Sequence, residues 1–427
     1  MNKHILFCLT ALVCLIFTAC TSQSDMEKTS IEEQAAALSK EFIITDGHID
    51  LPYRLRVANF QIQKEFLDVA TDNEGEFDYY KAKDGGLDAP FMSIYIPASY
   101  QSEFDTTYGR FLPGQINRAK ILADSLIDMV ENIVEKHPDK FALAYSPADV
   151  QQNFVEGLVS LPMGMENGAP IGDSLENIQY FYERGIRYIT LTHSKPNQIC
   201  DSSYDSTRIW NGLSPFGEEV VKEMNRVGIM VDISHVSDST FYDVMKITQA
   251  PAIASHSSVR KFVPGFERNM DDDMIKALAE NGGVIQINFG STFIDGDVRT
   301  AYDSIQAHIV NWLTENNLNE EDSAAQEYIK SYTAENFQYS TVEKVADHID
   351  HVVQLVGVDH VGFGSDYDGV GDTLPTGLKD VSEYPNLIAE LLRRGYTRED
   401  IEKICYKNVF RVWEEVENTA QKLSQGV

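Results

Sequence analysis

Asp46-Gly47-His48-Ile49-Asp50 puts an imidazole and a carboxylate two residues apart, directly after the apolar run Phe42-Ile43-Ile44. On an extended strand successive side chains alternate faces, so His48 and Asp50 point the same way. Such a pair is a two-donor handle for a borderline cation such as zinc. Leu51-Pro52 then ends the strand. A single handle says little, because polar residues commonly finish strands. This chain repeats the device: an apolar run, then His, Glu or Asp, then small or turn-forming residues.

The apolar stretch Leu158–Met163 runs into Gly164-Met165-Glu166-Asn167-Gly168, and Tyr188–Thr192 delivers His193. Ile229–Ser234 delivers His235, Pro251–Ser255 delivers His256, and His360–Ser365 delivers Asp366-Tyr367-Asp368. Taken singly, His193 could serve a neighbouring loop, His235 and His256 could be satisfied core histidines, and an Asp could shape a turn. Glu166 is harder to dismiss, since a carboxylate ending an apolar strand would be buried without a partner. Together they predict one site. His48 and Asp50 would hold one ion, His235 and His256 a second, and Glu166 would bridge both with one oxygen each. A water between two such ions becomes hydroxide near neutral pH, and the ions polarise a carbonyl. That is equipment for hydrolysing an amide.

These residues need a frame that brings strand ends together. Helical periodicity at Ile116–Glu135, Ser174–Arg184, Gly217–Arg226, Asp272–Glu280 and Val342–Val356 alternates with the strands, and two helices close the chain. Ala89–Ile96, Phe141–Ala144 and Val284–Phe289 add strands without a metal donor at their ends. Alternation of this kind implies a parallel sheet. About eight strands with chemically capable ends predict a (β/α)₈ TIM-type barrel, whose strand ends converge at the C-terminal mouth. An open doubly wound sheet is the competing arrangement. No glycine-rich phosphate loop follows the first strand, so a dinucleotide fold is not indicated.

The 427 residues suffice for a large core, and 43% hydrophobic with 24% charged residues is globular composition. With 35 Lys and Arg against 66 Asp and Glu the net charge is −31, which argues against nucleic acid and anionic membrane surfaces as partners. The N-terminus reads as a targeting segment: a basic start, the apolar run Ile5–Phe17, then Thr18-Ala19-Cys20 and a polar tract. It resembles a bacterial lipoprotein signal cleaved before Cys20 and lipidated on that thiol, with a plain secretory signal as the alternative. Residues 1–19 would be signal peptide, 20–40 a tether leading into a short helix, and 41–420 one catalytic domain with insertions near 59–88 and 291–340. Of five cysteines, Cys200 and Cys405 remain in the mature domain, too few for a disulfide framework.

The motifs as a set resemble the membrane dipeptidase (renal dipeptidase) family of zinc peptidases, family M19, within the amidohydrolase-type barrels. They are Asp46–Pro52, Tyr188–His193, Asp232-Ile233-Ser234-His235-Val236, Ser255-His256-Ser257-Ser258, Arg268-Asn269-Met270-Asp271-Asp272 and His360–Gly369, in family order across residues 42–413. The resemblance implies a (β/α)₈ barrel with two zinc ions held by His48, Asp50, Glu166, His235 and His256. It implies substrate contacts at His193, Arg268 and Asp366, dipeptides as substrates, and Glu166, His193 and Asp366 as the catalytic groups. Ile49 stands where the family often has Asn, on the face away from the metals. Ser194-Lys195-Pro196-Asn197 and both insertions also depart from the pattern.

The same roles make chemical sense unaided. Arg268 suits a free C-terminal carboxylate, which it can grip bidentately. His193 can donate to the scissile carbonyl, and Asp366 can carry a proton from water to the leaving amine. Rival readings are another binuclear amidohydrolase (an N-acyl amino acid hydrolase or lactonase) and a non-catalytic lipid-anchored binding protein. Many barrels of the first kind use His-x-His on strand one and a modified Lys, which Asp50 and Glu166 speak against. The second predicts a lost ligand, and none is missing. The expected location is the bacterial cell envelope, lipid-anchored at a periplasmic or outer-membrane face, with a homodimer left open.

Overall fold

The structure, a computed structural model, describes residues 29–62, 68–71, 73–101, 104–105, 110–111, 116–320 and 322–426. The expected signal peptide, Cys20 and the first part of the tether, to residue 28, lie outside the described residues, as do parts of the 59–88 insertion. Eight strands form the centre: β1 (Ile44–Ile49), β2 (Leu87–Tyr95), β3 (Met163–Glu166), β4 (Ile186–Thr190), β5 (Met230–Asp232), β6 (Ile253–Ser257), β7 (Val284–Ile287) and β8 (Val361–Phe363). They lie side by side in chain order, all parallel. Just beyond the strands the seam between first and last is joined. Ile49 pairs with Tyr367, the Asp50 N–H donates to the Tyr367 carbonyl at 2.9 Å, and the Asp366 N–H donates to the His48 carbonyl at 3.1 Å. Asp46 adds to this closure by accepting from the His48 and Ser365 N–H groups, at 2.9 and 3.1 Å, and from the Tyr384 hydroxyl. The expected (β/α)₈ barrel is thus the fold, and the open sheet, which would leave that seam unpaired, is not.

Strands buried on both faces must be apolar outward as well as inward, and every barrel strand is buried along almost its whole length. The covering helices are placed by local chemistry. The helix Pro215–Val227 starts with Ser214 accepting from the Gly217 N–H and ends at Gly228, whose φ of 98° suits a residue without Cβ. Its Val220, Val221 and Met224 face inward. At the N-terminal end of the barrel the strand starts Ile43, Ala89, Met230, Ile253 and Val284 form one cluster with Val409, Val412 and Trp413 of the helix Asn408–Ser424. The last helix therefore plugs the bottom, and the C-terminal mouth is left for chemistry.

One detail differs from the sequence expectations, and two helical regions take definite bounds. The apolar run Leu158–Met163 is two strands, because Pro162 interrupts it. Val159–Leu161 pairs with Phe141–Leu143 in a separate small sheet, and only Met163–Glu166 enters the barrel. The short helix into which the tether leads is Ile31–Glu41, with Ala35 and Leu38 buried and Glu32 paired to Arg393 at 2.6 Å. The 291–340 insertion contains two long helices, Gly296–Asn316 and Ser323–Asn336, joined through their own apolar cluster of Ile305, Ile309, Leu313 and Ala325. Among the described residues no helix is long and apolar enough to cross a membrane. Cys200 and Cys405 are both buried and free.

Candidate metal centre and active site

The barrel brings His48, Asp50, Glu166, His193, His235, His256 and Asp366 into one cluster at its C-terminal mouth. Glu166 ends β3 and its carboxylate is central. Oε1 lies 3.0 Å from His235 Nε2, 3.3 Å from His256 Nε2 and 3.6 Å from His193 Nε2. Oε2 faces the other way, 3.4 Å from His48 Nε2. His48 Nε2 is also 3.5 Å from Asp50 Oδ2. His235 and His256 present their Nε2 atoms to each other at 2.8 Å. Donor atoms of His48, Asp50 and Asp366 form a further group, all within 4.8 Å of one another.

Neighbouring side chains orient these donors. Ser255 has one hydroxyl hydrogen and gives it to Asp232 Oδ2 at 2.7 Å. It must therefore accept from His256 Nδ1, also at 2.7 Å, which leaves His256 Nε2 as a bare lone pair. Asp232 is itself fixed by Thr190 and by the Ser234 and Ser255 N–H groups, so one carboxylate ties β4, β5 and β6 together beneath the site. The Tyr188 hydroxyl meets His48 Nδ1 at 2.7 Å. Asn288, just past β7, donates to Asp366 Oδ2 at 2.7 Å. His235 and Asp366 have left-handed backbones, φ 69° and 66°, a strain on the order of 1 kcal/mol each that aims their side chains inward. Gly369 has no room for a Cβ, which would lie 2.2 Å from Asp50 Oδ2 and 2.3 Å from Asp366 Oδ1.

The electrostatics describe anions in need of a cation. Burial pushes the Glu166 carboxyl up to about 7 against the pull of His48. Burial likewise pushes Asp366 up to about 6, with the nearby Asp50 charge adding to it. Burial would lower His48, but Tyr188, Glu166 and Asp50 outweigh it and hold that imidazole well above its ordinary range. His235 and His256 go the opposite way, well down through burial and through the positive charges around them. His193 falls to about 3, through burial and then the Arg268 charge. Imidazole nitrogens and carboxylate oxygens are a donor set for a borderline divalent ion, and a bound cation would displace the proton that His48 otherwise holds. His48 Nε2 and Asp50 Oδ1 are buried with no hydrogen-bond partner, a costly state that an ion between them would relieve. The residues fit a metal.

Arg268 is no surface residue. It is 3% exposed, donates from Nη1 to Ser257 Oγ and from Nη2 to the His256 carbonyl, both at 2.7 Å, and keeps Nε buried without a partner. It stands, like His48 and His256, one layer behind a cavity of about 830 Å³ whose floor includes Glu166, His193, His235 and Asp366. Tyr53, Tyr95, Tyr204, Phe293, Arg299 and Tyr302 form its walls. That volume is in the range of small-molecule sites. Sequence reasoning missed Asp232, Ser255, Tyr188 and Asn288. Asp232 and Asn288 share the strand-end pattern of the ligands, which was the available signal.

Comparison with known proteins agrees with this geometry. The profile of the membrane dipeptidase family (peptidase family M19) matches residues 32–426. Dipeptidase tcpJ of Claviceps purpurea is 33% identical over 390 residues, covering 91% of this chain and 79% of the relative. The probable dipeptidase PvdM of Pseudomonas aeruginosa superposes with a TM-score of 0.75 at 26% identity, covering 91% of this chain and 99% of that one. A metallo peptidase of Rhodobacter sphaeroides, solved with a phosphinate mimic of the dipeptide L-Ala-D-Ala, gives 0.68 at 25% identity, over 88% of this chain and 99% of that one. A barrel mouth built around His, Asp and Glu donors, matched in sequence along nearly the whole described chain, places this protein in the membrane dipeptidase family, M19, as a dipeptidase of the metal-dependent (β/α)₈ hydrolase type.

Proposed function

We propose that the protein is a zinc dipeptidase with a binuclear centre. His48 and Asp50 hold one ion, His235 and His256 the other, and Glu166 is shared. The observation that carries this reading is the division of the Glu166 carboxylate, Oε2 toward His48 and Oε1 toward His235 and His256. Bound there, the ions lower the pKa of a water to near neutrality and polarise the scissile carbonyl. The chain's own groups do the rest. Asp366, steadied by Asn288, takes the proton of the attacking water and returns it to the leaving amine. Neutral His193 donates to the oxyanion that develops on the substrate. Arg268, fixed by Ser257 and the His256 carbonyl, grips the C-terminal carboxylate. The short reach from the metal donors to the carboxylate anchor favours dipeptides.

Elemental analysis of protein expressed with ample zinc should find close to two zinc ions per chain. Chelation should abolish dipeptide hydrolysis, and added zinc should restore it. One ion per chain with full activity would overturn the binuclear reading. We also propose that Cys20 carries lipid and holds the mature enzyme at the cell envelope, on the strength of the Thr18-Ala19-Cys20 motif behind an apolar run. Cys20→Ser should stop fatty-acid labelling and release the enzyme from the membrane fraction. A wild-type protein found wholly in the soluble fraction would refute the anchor.

A further inference from the structure

Among the described residues lining the cavity, Arg299 is the only Lys or Arg. It stands in the first turn of the helix Gly296–Asn316, inside the insertion that departs from the family pattern. Its Cζ lies 4.2 Å from the centroid of the Phe266 ring, a contact that orients the guanidinium plane. Its Nε donates to Asp303 Oδ1 at 3.0 Å, an exposed pair one turn apart and hence a weak one. No protein group among the described residues takes its two terminal nitrogens. The nearby cations are committed elsewhere. Lys195 pairs with Asp205 at 2.8 Å, Arg208 is held by Glu267 and the Ser202 carbonyl, and neither lines the cavity.

Phe266 packs on Phe293 at 5.6 Å, and Phe293 lies 5.8 Å from Arg268 Cζ. Arg268 and Arg299 therefore flank the same aromatic pair on one wall. We propose that Arg299 is a specificity-determining residue that reads an acidic side chain on the C-terminal residue of the dipeptide. The inference rests on the reading that Arg268 takes the C-terminal carboxylate. With that group fixed, a side chain placed beside the cavity-lining Phe293 and Arg299 is that of the C-terminal residue. Outside the proposed metal donors the charged lining is sparse: Asp368 is paired with Arg54 at 3.0 Å, and Arg299 is the one Lys or Arg among the described lining residues. A planar fork whose two terminal nitrogens have no partner among the described residues matches a carboxylate bidentately.

The test compares dipeptides ending in Glu with isosteric ones ending in Gln, in both C-terminal configurations, and each free acid with its C-terminal amide. Each ratio of kcat/KM is taken within one variant, so a general loss of activity cancels. Wild type should favour Glu over Gln, and Arg299→Ala should lower that ratio by about tenfold to a hundredfold. Arg299→Glu should invert it, favouring a C-terminal Lys over Glu. A Glu-to-Gln ratio that is the same in Arg299→Ala as in wild type overturns the proposal. If Arg268→Ala still loses its preference for acid over amide in that case, the carboxylate reading stands and this proposal alone falls. If Arg299→Ala is the variant that loses the acid-over-amide preference, Arg299 is the main-chain anchor and both assignments fall together.

Discussion

Glu166→Gln should lower kcat/KM for dipeptides by roughly a thousandfold or more, since a catalytic metal contributes several kcal/mol and each 1.36 kcal/mol is a factor of ten. The change is nearly isosteric, and Glu166 is almost wholly buried, so the barrel should keep its shape. What changes is charge and polarity. The carboxylate turns one oxygen to each side of the centre, 3.4 Å from His48 Nε2 and 3.0 Å from His235 Nε2. An amide carries no negative charge and puts an N–H₂ group in place of one of those oxygens, so it cannot be an anionic ligand to two ions. Both metal occupancies should therefore fall. His235→Ala, which touches only one side, should empty mainly one site. A Glu166→Gln enzyme with full zinc and full activity would remove the bridging role.

The second large effect concerns Arg268. Loss of a desolvated charge pair costs on the order of 2–4 kcal/mol, so Arg268→Ala should lose roughly thirty- to a thousandfold in kcat/KM, at tenfold per 1.4 kcal/mol. The structure places this arginine in the interior, 3% exposed, with Nε lacking a partner among the described residues. Wild type should strongly prefer a dipeptide to its C-terminal amide, and the Ala variant should lose most of that preference while keeping its zinc. Arg268→Lys should recover part of it, because an ammonium cannot reproduce the planar fork. An unchanged preference would pass the anchoring role to Arg299, since Lys195 and Arg208 are already paired.

The barrel was legible in the sequence because alternating periodicity is a local signal and eight strands left little choice of parallel closure. The cluster of donors was legible for a related reason. His48, Glu166, His235 and Asp366 each interrupt an apolar run at its end, and a barrel gathers such ends. Other features depend on partners far away in the chain. That Asp232 would receive Thr190 and Ser255, and so set the tautomer of His256, cannot be read from the order of residues. Pro162 was visible, but not that it would divide one apolar run between two sheets. Arg299 was hidden in an insertion whose helices have no strand rhythm to place them, and only the fold of that insertion sets it against Phe266.

The seam between β1 and β8 has a consequence for how the chain must fold. Asp46 accepts from the Ser365 N–H, 319 residues later in sequence, and the Asp366 N–H is satisfied by the His48 carbonyl. Contacts of such separation carry a large loop-closure cost and form late. Two proposed ligands, His48 within the first barrel strand and Asp50 just past it, are made early, yet that strand has an open edge until the last barrel strand arrives. The enzyme is thus the product of a circle whose final joint lies within its own active site. A chain truncated before residue 360 would expose β1 as an unpaired edge, a template for aggregation rather than a partial catalyst.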